Sequence, residues 1–187
     1  ADGLVFETVH DGLDRPITQK QPDLTTPSTL VTKKTYAYTD TIGSRKVLET
    51  NYLDGSTDFT IHKYLDGFDR VIQTRNEAED SNKFSVKDIT YNKAGLVDRE
   101  TLPYFSTGSS KTTATSTSYL YTTYAYDALK RLLTAANVVG TTTTTYEAWS
   151  ATTTDSNGNP KGFVYDAFKQ LAKVIEYDSG TPYTTQY

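Results

Sequence analysis

Short stretches of alternating apolar and polar side chains recur along this chain, and each runs into an Asp or Asn followed by a tight step. Lys87-Asp88-Ile89-Thr90-Tyr91, Thr122-Thr123-Tyr124-Ala125-Tyr126 and Phe59-Thr60-Ile61-His62-Lys63-Tyr64 alternate with the period of two that sends successive side chains to opposite faces of a strand. An apolar stretch resumes after the step: Val71-Ile72, Leu132-Leu133, and Leu171 with Val174-Ile175. The pattern predicts units of strand, tight turn and strand. The chain is therefore expected to be all-β, an antiparallel array of hairpins.

The units repeat. Tyr126-Asp127-Ala128-Leu129-Lys130-Arg131-Leu132 and Tyr165-Asp166-Ala167-Phe168-Lys169-Gln170-Leu171 are near copies. Further copies centre on Asp11, Asp40, Asp66 and Asn92, so the acid slots lie 29, 26, 26, 35 and 39 residues apart. The predicted cores fall near residues 10–17, 39–45, 65–72, 91–97, 126–133 and 165–172, within one region spanning 1–187. The acid or amide side chain can accept a backbone N–H two residues on, forming an Asx-turn. The third residue after it is Asp14, Gly43, Asp69, Gly95, Lys130 or Lys169. Gly, and less readily Asp, tolerates the positive φ that closes such a turn. The two lysines fit that slot poorly and predict a different turn type. An ordinary sandwich with coincidental turns is the competing reading, and the two near-identical copies argue against it.

Composition sharpens this picture. Threonine makes up about 18% of the 187 residues, and there are 15 Tyr, both at home on a pleated half-buried surface. The absence of Cys excludes disulfide scaffolds, thiolate metal sites and cysteine nucleophiles. The absence of Met predicts a piece of a longer chain. A net charge of -4 argues against phosphate-backbone binding.

Candidate chemistry is sparse, and no cofactor or metal is expected. His10 and His62 both read as strand residues, with His62 on an exposed face. Glu77-Ala78-Glu79-Asp80 could supply an acid/base pair for a hydrolase, but reads as a solvated hairpin tip. Asp155-Ser156-Asn157-Gly158-Asn159 has its glycine at the fourth position rather than the sixth of a calcium loop, so Asn157-Gly158 is expected to be a two-residue hairpin turn. Tyr119, Tyr121, Tyr124 and Trp149 form a candidate ligand face for sugar rings or a protein, against a structural role as cross-strand anchors. The Thr-rich stretches 112–118 and 141–145 read as exposed strand faces or connectors. Free edge strands would allow edge-to-edge self-association.

The turn residues Asp11, Arg15, Asp40, Asp66, Arg70, Tyr91, Asn92, Gly95, Tyr126, Asp127, Arg131, Tyr165 and Asp166 resemble the core Tyr-Asp-x-x-Gly-Arg of the YD repeats of the Rhs family. The match covers nearly the whole chain, although the glycine is replaced in four copies and the arginine in three. Leu102-Pro103-Tyr104-Phe105 and the run from Asp155 to Asp166 are similar to segments of the B and C components of bacterial insecticidal toxin complexes. The resemblance implies a curved sheet forming an arc of a hollow β-shell. It implies a non-enzymatic segment that encloses or scaffolds a toxin polypeptide, within a larger secreted or cell-surface bacterial protein. The implied partners are the remaining repeats and an enclosed C-terminal toxin polypeptide. The alternative is a carbohydrate- or cell-surface-binding module.

Overall fold

A computed structural model of the chain describes residues 5–53, 58–80, 82–112, 120–178 and 180–187. Every regular element among them is a strand, and all recorded pairings are antiparallel. The chain divides into two compact units, residues 1–89 with 103–115, and residues 90–102 with 116–187.

Unit 1 contains β1 (Glu7–His10), β2 (Pro16–Pro22), β3 (Leu30–Thr39), β4 (Lys46–Tyr52), β5 (Asp58–Leu65), β6 (Val71–Glu77) and most of β7 (Lys83–Tyr91). They pair in chain order, each strand with the next. Unit 2 contains β8 (Val97–Thr101), and β9 (Tyr104–Thr107) returns to unit 1, where it pairs with β7 from Lys83↔Thr107 to Val86↔Tyr104. Unit 2 continues with β10 (Tyr121–Tyr126), β11 (Leu132–Ala136), β12 (Thr141–Tyr146), β13 (Ser150–Thr154), β14 (Pro160–Tyr165), β15 (Leu171–Asp178) and β16 (Thr181–Gln186). β8 pairs with β10, and the rest follow in order.

The apolar doublets after the turns have a geometric cause. In four hairpins the register slips by one residue next to the turn, as between Tyr64↔Gln73 and Leu65↔Val71. The slip leaves Ile17, Ile72, Leu133 and Ala172 without a partner in the register. Each is a β-bulge, and a bulge lets two neighbouring residues serve one apolar environment where alternation forbids it.

The stretch 141–145 is strand β12, whose positions alternate between exposed and half-buried. Thr143↔Thr154, Thr144↔Thr153 and Thr145↔Thr152 stack across β12 and β13, and the hydroxyls of Thr144 and Thr153 lie 3.2 Å apart. β-branched side chains that pair directly are what make this low-complexity run a strand. Of the other Thr-rich stretch, only Thr112 is among the described residues.

Three expectations are corrected. Lys130 and Lys169 do not make another turn type: their φ values are 64° and 62°, matching Asp14 at 61° and Asp69 at 62°. Asn157-Gly158 is not a two-residue turn but the centre of the same Asp-anchored turn as the repeats. His62 is not exposed. It is buried against Phe84, with ring centroids 5.5 Å apart in a T-shaped arrangement.

Candidate functional site

Six turns share one construction, anchored on Asp11, Asp66, Asn92, Asp127, Asp155 and Asp166. In each, the side-chain Oδ1 accepts the backbone N–H two residues on, at 2.8–2.9 Å. The same oxygen accepts the N–H four residues on, at 2.8–3.1 Å. The anchor's own carbonyl accepts the third amide, and its own N–H donates to the fourth carbonyl. One residue thus closes four bonds in a five-residue loop. A left-handed conformation costs a non-glycine residue about 1–2 kcal/mol, and this set of bonds holds it at Asp14, Asp69, Lys130 and Lys169.

Asp40 is the exception. Its turn carries Gly43 at φ 80° but closes through Ser44 N–H to the Thr41 carbonyl. The Asp40 carboxylate instead receives the Arg15 guanidinium at 2.9 Å and lies 3.7 Å from that of Arg45, which also meets Asp69. An alternating chain Asp11–Arg15–Asp40–Arg45–Asp69 therefore ties three successive turns of unit 1 side by side.

Where arginine stands four residues after the anchor, it closes a further clamp. Arg15, Arg70 and Arg131 each donate Nε–H to Oδ2 of their own aspartate, at 2.6–2.8 Å. The Arg15 guanidinium is the main cause holding the Asp11 carboxyl below the usual carboxylate range; at Asp127 the Arg131 backbone N–H leads. Arg15 then lies 4.1 Å over the Tyr38 ring, and Arg131 lies 4.2 Å over Tyr146. The Tyr38 hydroxyl donates to the Pro16 carbonyl and that of Tyr146 to the Leu132 carbonyl, one residue past the arginine in both cases. Tyr38 and Tyr146 were missed by sequence reasoning. Tyr146 stands directly before Glu147 as the repeat tyrosines stand before Asp, and that spacing was the available signal.

Unit 1 also holds a buried polar cluster. Arg75, wholly buried on β6, donates to Gln73 Oε1, the hydroxyls of Thr112 and Ser106, and the carbonyls of Thr107 and Gly108. Gln73 bonds Asp88 and the Thr112 backbone, the Tyr104 hydroxyl donates to Asp88 at 2.6 Å, and that of Tyr64 donates to the Ser109 carbonyl. Residues 104–112 are thereby strapped over the β5–β6–β7 face. Ser106 through its hydroxyl and Ser109 through its carbonyl hold this strap in place. Beside it, burial pushes the His62 imidazole below its usual value, and the Lys46 and Arg75 cations act the same way against Glu77. His62 Nδ1 is buried without a hydrogen-bond partner.

The remaining predicted residues are dispersed. Tyr91, Tyr126 and Tyr165 end β7, β10 and β14, directly before their anchors, and Gly95 takes φ 80°. His10 ends β1. Tyr119 lies outside the described residues. Tyr121 is exposed, with Arg99 over its ring. Tyr124 donates to Glu100 at 2.8 Å, and burial together with that carboxylate pushes its phenol up to about 12. Trp149 is exposed and walls a recess of about 300 Å³ with Arg131, Tyr146, Tyr165 and Lys169. Glu77 accepts the N–H and hydroxyl of Thr60, and Asp80 meets Lys83. Among the described residues no group of three or more His, Asp or Glu could hold a metal ion.

No family model and no curated protein matches the chain. Twenty-two chains of solved structures do. They include the crystal structure of TcdB2-TccC3-TEV and the structure of the Photorhabdus luminescens Tc holotoxin pore with a mutated TccC3. Each matches with a TM-score of 0.65 over 96% of this chain at 14% identity, and this chain spans 15% of the length of each. The chain thus has the fold of a segment of Tc toxin-complex components.

Proposed function

We propose that the chain is a non-enzymatic wall segment of an Rhs-type, YD-repeat shell that encloses or scaffolds a toxin polypeptide. The observation that carries this is the likeness of 96% of the chain to Tc holotoxin components. The turns support it physically. Each spends its acid, and where present its arginine, on its own backbone and its neighbours, which leaves a rigid array rather than a reactive centre. In this reading the partners are further repeats of a larger bacterial protein and a C-terminal toxin polypeptide, and the whole is secreted or displayed at the cell surface. No described helix is long and apolar enough to cross a membrane. The test is protease protection in the parent protein. The C-terminal polypeptide should survive while the particle is intact and be digested once it is opened by denaturant. Digestion at the rate of the free polypeptide would overturn the reading.

A second reading rests on the recess walled by Trp149 and Tyr165, whose exposed rings could stack on a sugar while Arg131 and Lys169 bond its hydroxyls. A glycan array separates the two. Specific binding lost in Trp149→Ala would favour a carbohydrate-binding module, and no binding would leave the wall reading alone.

A further inference from the structure

In an antiparallel sheet that follows chain order, alternate connections lie at the same end. In unit 1 the β1–β2, β3–β4 and β5–β6 turns therefore share one rim, and their tips are Leu13, Ile42 and Phe68. All three are exposed, Ile42 by 98% and Phe68 by 81%. In unit 2 the β10–β11, β12–β13 and β14–β15 turns present Leu129, Trp149 and Phe168, again all exposed. The β7–β8 turn, at the same end of unit 2, carries the small Ala94, so six of these seven tips are large and apolar, whereas single exposed apolar residues scattered over a surface need no explanation.

These tips are fixed in place. With strands about 4.8 Å apart, same-end turns recur roughly every 9–10 Å. The Asp–Arg chain of unit 1 ties its three turns laterally, and Arg70 lies 5.1 Å from the Phe68 ring centre. Between the tips of unit 1 the rim is hollow, a recess of about 830 Å³ lined by Leu13, Arg15, Ile42, Arg45, Ile72 and Lys111 among others. Unit 2 repeats this with the Trp149 recess. Each row thus carries both apolar knobs and the holes between them.

We propose that this rim is a self-association surface, on which the hairpin tips of a second copy seat in the recesses between the tips of the first. A second copy fits for two reasons. Its tips recur at the same spacing, so several knobs engage at once. Its Asp and Arg side chains alternate along the rim of unit 1 and are already paired with one another, so an opposed rim meets no unpaired like charge. A row of three tips buries less than the roughly 1,200 Å² at the lower bound of stable interfaces, so the association is weak and concentration-dependent.

Sedimentation equilibrium of the chain from about 1 µM to about 1 mM tests it. The expected result is reversible association that weakens at least tenfold in the double variant Ile42→Ser, Phe68→Ser. Both positions are at solvent-exposed tips with negative φ, and an unchanged thermal unfolding curve would show that the fold is intact. A monomer across the whole range would overturn the proposal. So would equal association of the double variant, which would assign the joining to the edge strands β1 and β16. Neither outcome bears on cargo protection, so this proposal and the wall reading fail separately.

Discussion

Both units are built from the same hairpins and the same turns, yet unit 1 buries charge and unit 2 does not. In unit 1, Arg75 and Gln73 are sealed beneath the strap, His62 lies beside them, and Glu49 is buried between Lys34 and Lys63. In unit 2 the buried residues among those described are Thr101, Gly162 and Val174, and the threonine ladder stays half-exposed. Burial alone would raise the Glu49 carboxyl, but its bonds to the two ammonium groups outweigh burial and hold it low. A buried charge is tolerated only when its bonds are complete, so unit 1 is specific and brittle where unit 2 is forgiving.

The largest effect is expected at Arg75. Arg75→Ala leaves the Thr107 and Gly108 carbonyls without their donor and should cost unit 1 at least about 3 kcal/mol. Hydrogen exchange should show the amides of 104–112 losing protection while β12 and β13 keep theirs. Protection retained in the strap would mean that Arg75 is not what holds it.

Next is acidity. His62 is held neutral, with its folded pKa below the usual 6.5. Below that value the unfolded chain binds a proton that the folded chain does not, so stability falls as pH drops from 6.5 toward the depressed value. The slope should reach at most about 1.4 kcal/mol per pH unit. It should shrink in His62→Phe, measured by urea unfolding at pH 7, 6 and 5. An identical pH slope in that variant would reassign the effect to carboxylates such as Glu49.

A smaller effect is predicted for the turns, in both units alike. Asp66→Ala removes the one oxygen that accepts two amides, and the clamp to Arg70, and should cost about 1–2 kcal/mol. Smallest is Lys130→Gly, which relieves the positive φ but loosens the unfolded chain and should stabilise by about 0.5 kcal/mol in thermal unfolding.

The hairpins and their anchors were legible in the sequence because alternation and the Asx-turn are local. Asp11, Asp66, Asn92, Asp127 and Asp166 were found from their neighbours alone. Asp155 was passed over because Asn157-Gly158 is so strong a turn signal that it masked the anchor two residues earlier. Asp40 looked like an anchor because its glycine is correctly placed, but its carboxylate is drawn to Arg15, 25 residues away. His62 and Arg75 illustrate the harder limit. His62 sits in an alternating stretch that reads as an exposed face yet packs on Phe84, and Arg75 is buried by residues 104–112 folding back over its strand. No local pattern announces that a distant segment will fold back.

The anchor, not the residue at the bend, dictates the turn. The most direct measurement is the backbone φ of Lys130 and Lys169 in solution, from three-bond amide–α-proton couplings and short-range nuclear Overhauser effects. Left-handed φ near +60° at both lysines is the predicted result. Right-handed or extended φ at either would contradict it, and with it the equivalence of the lysine turns to those of Asp14 and Asp69.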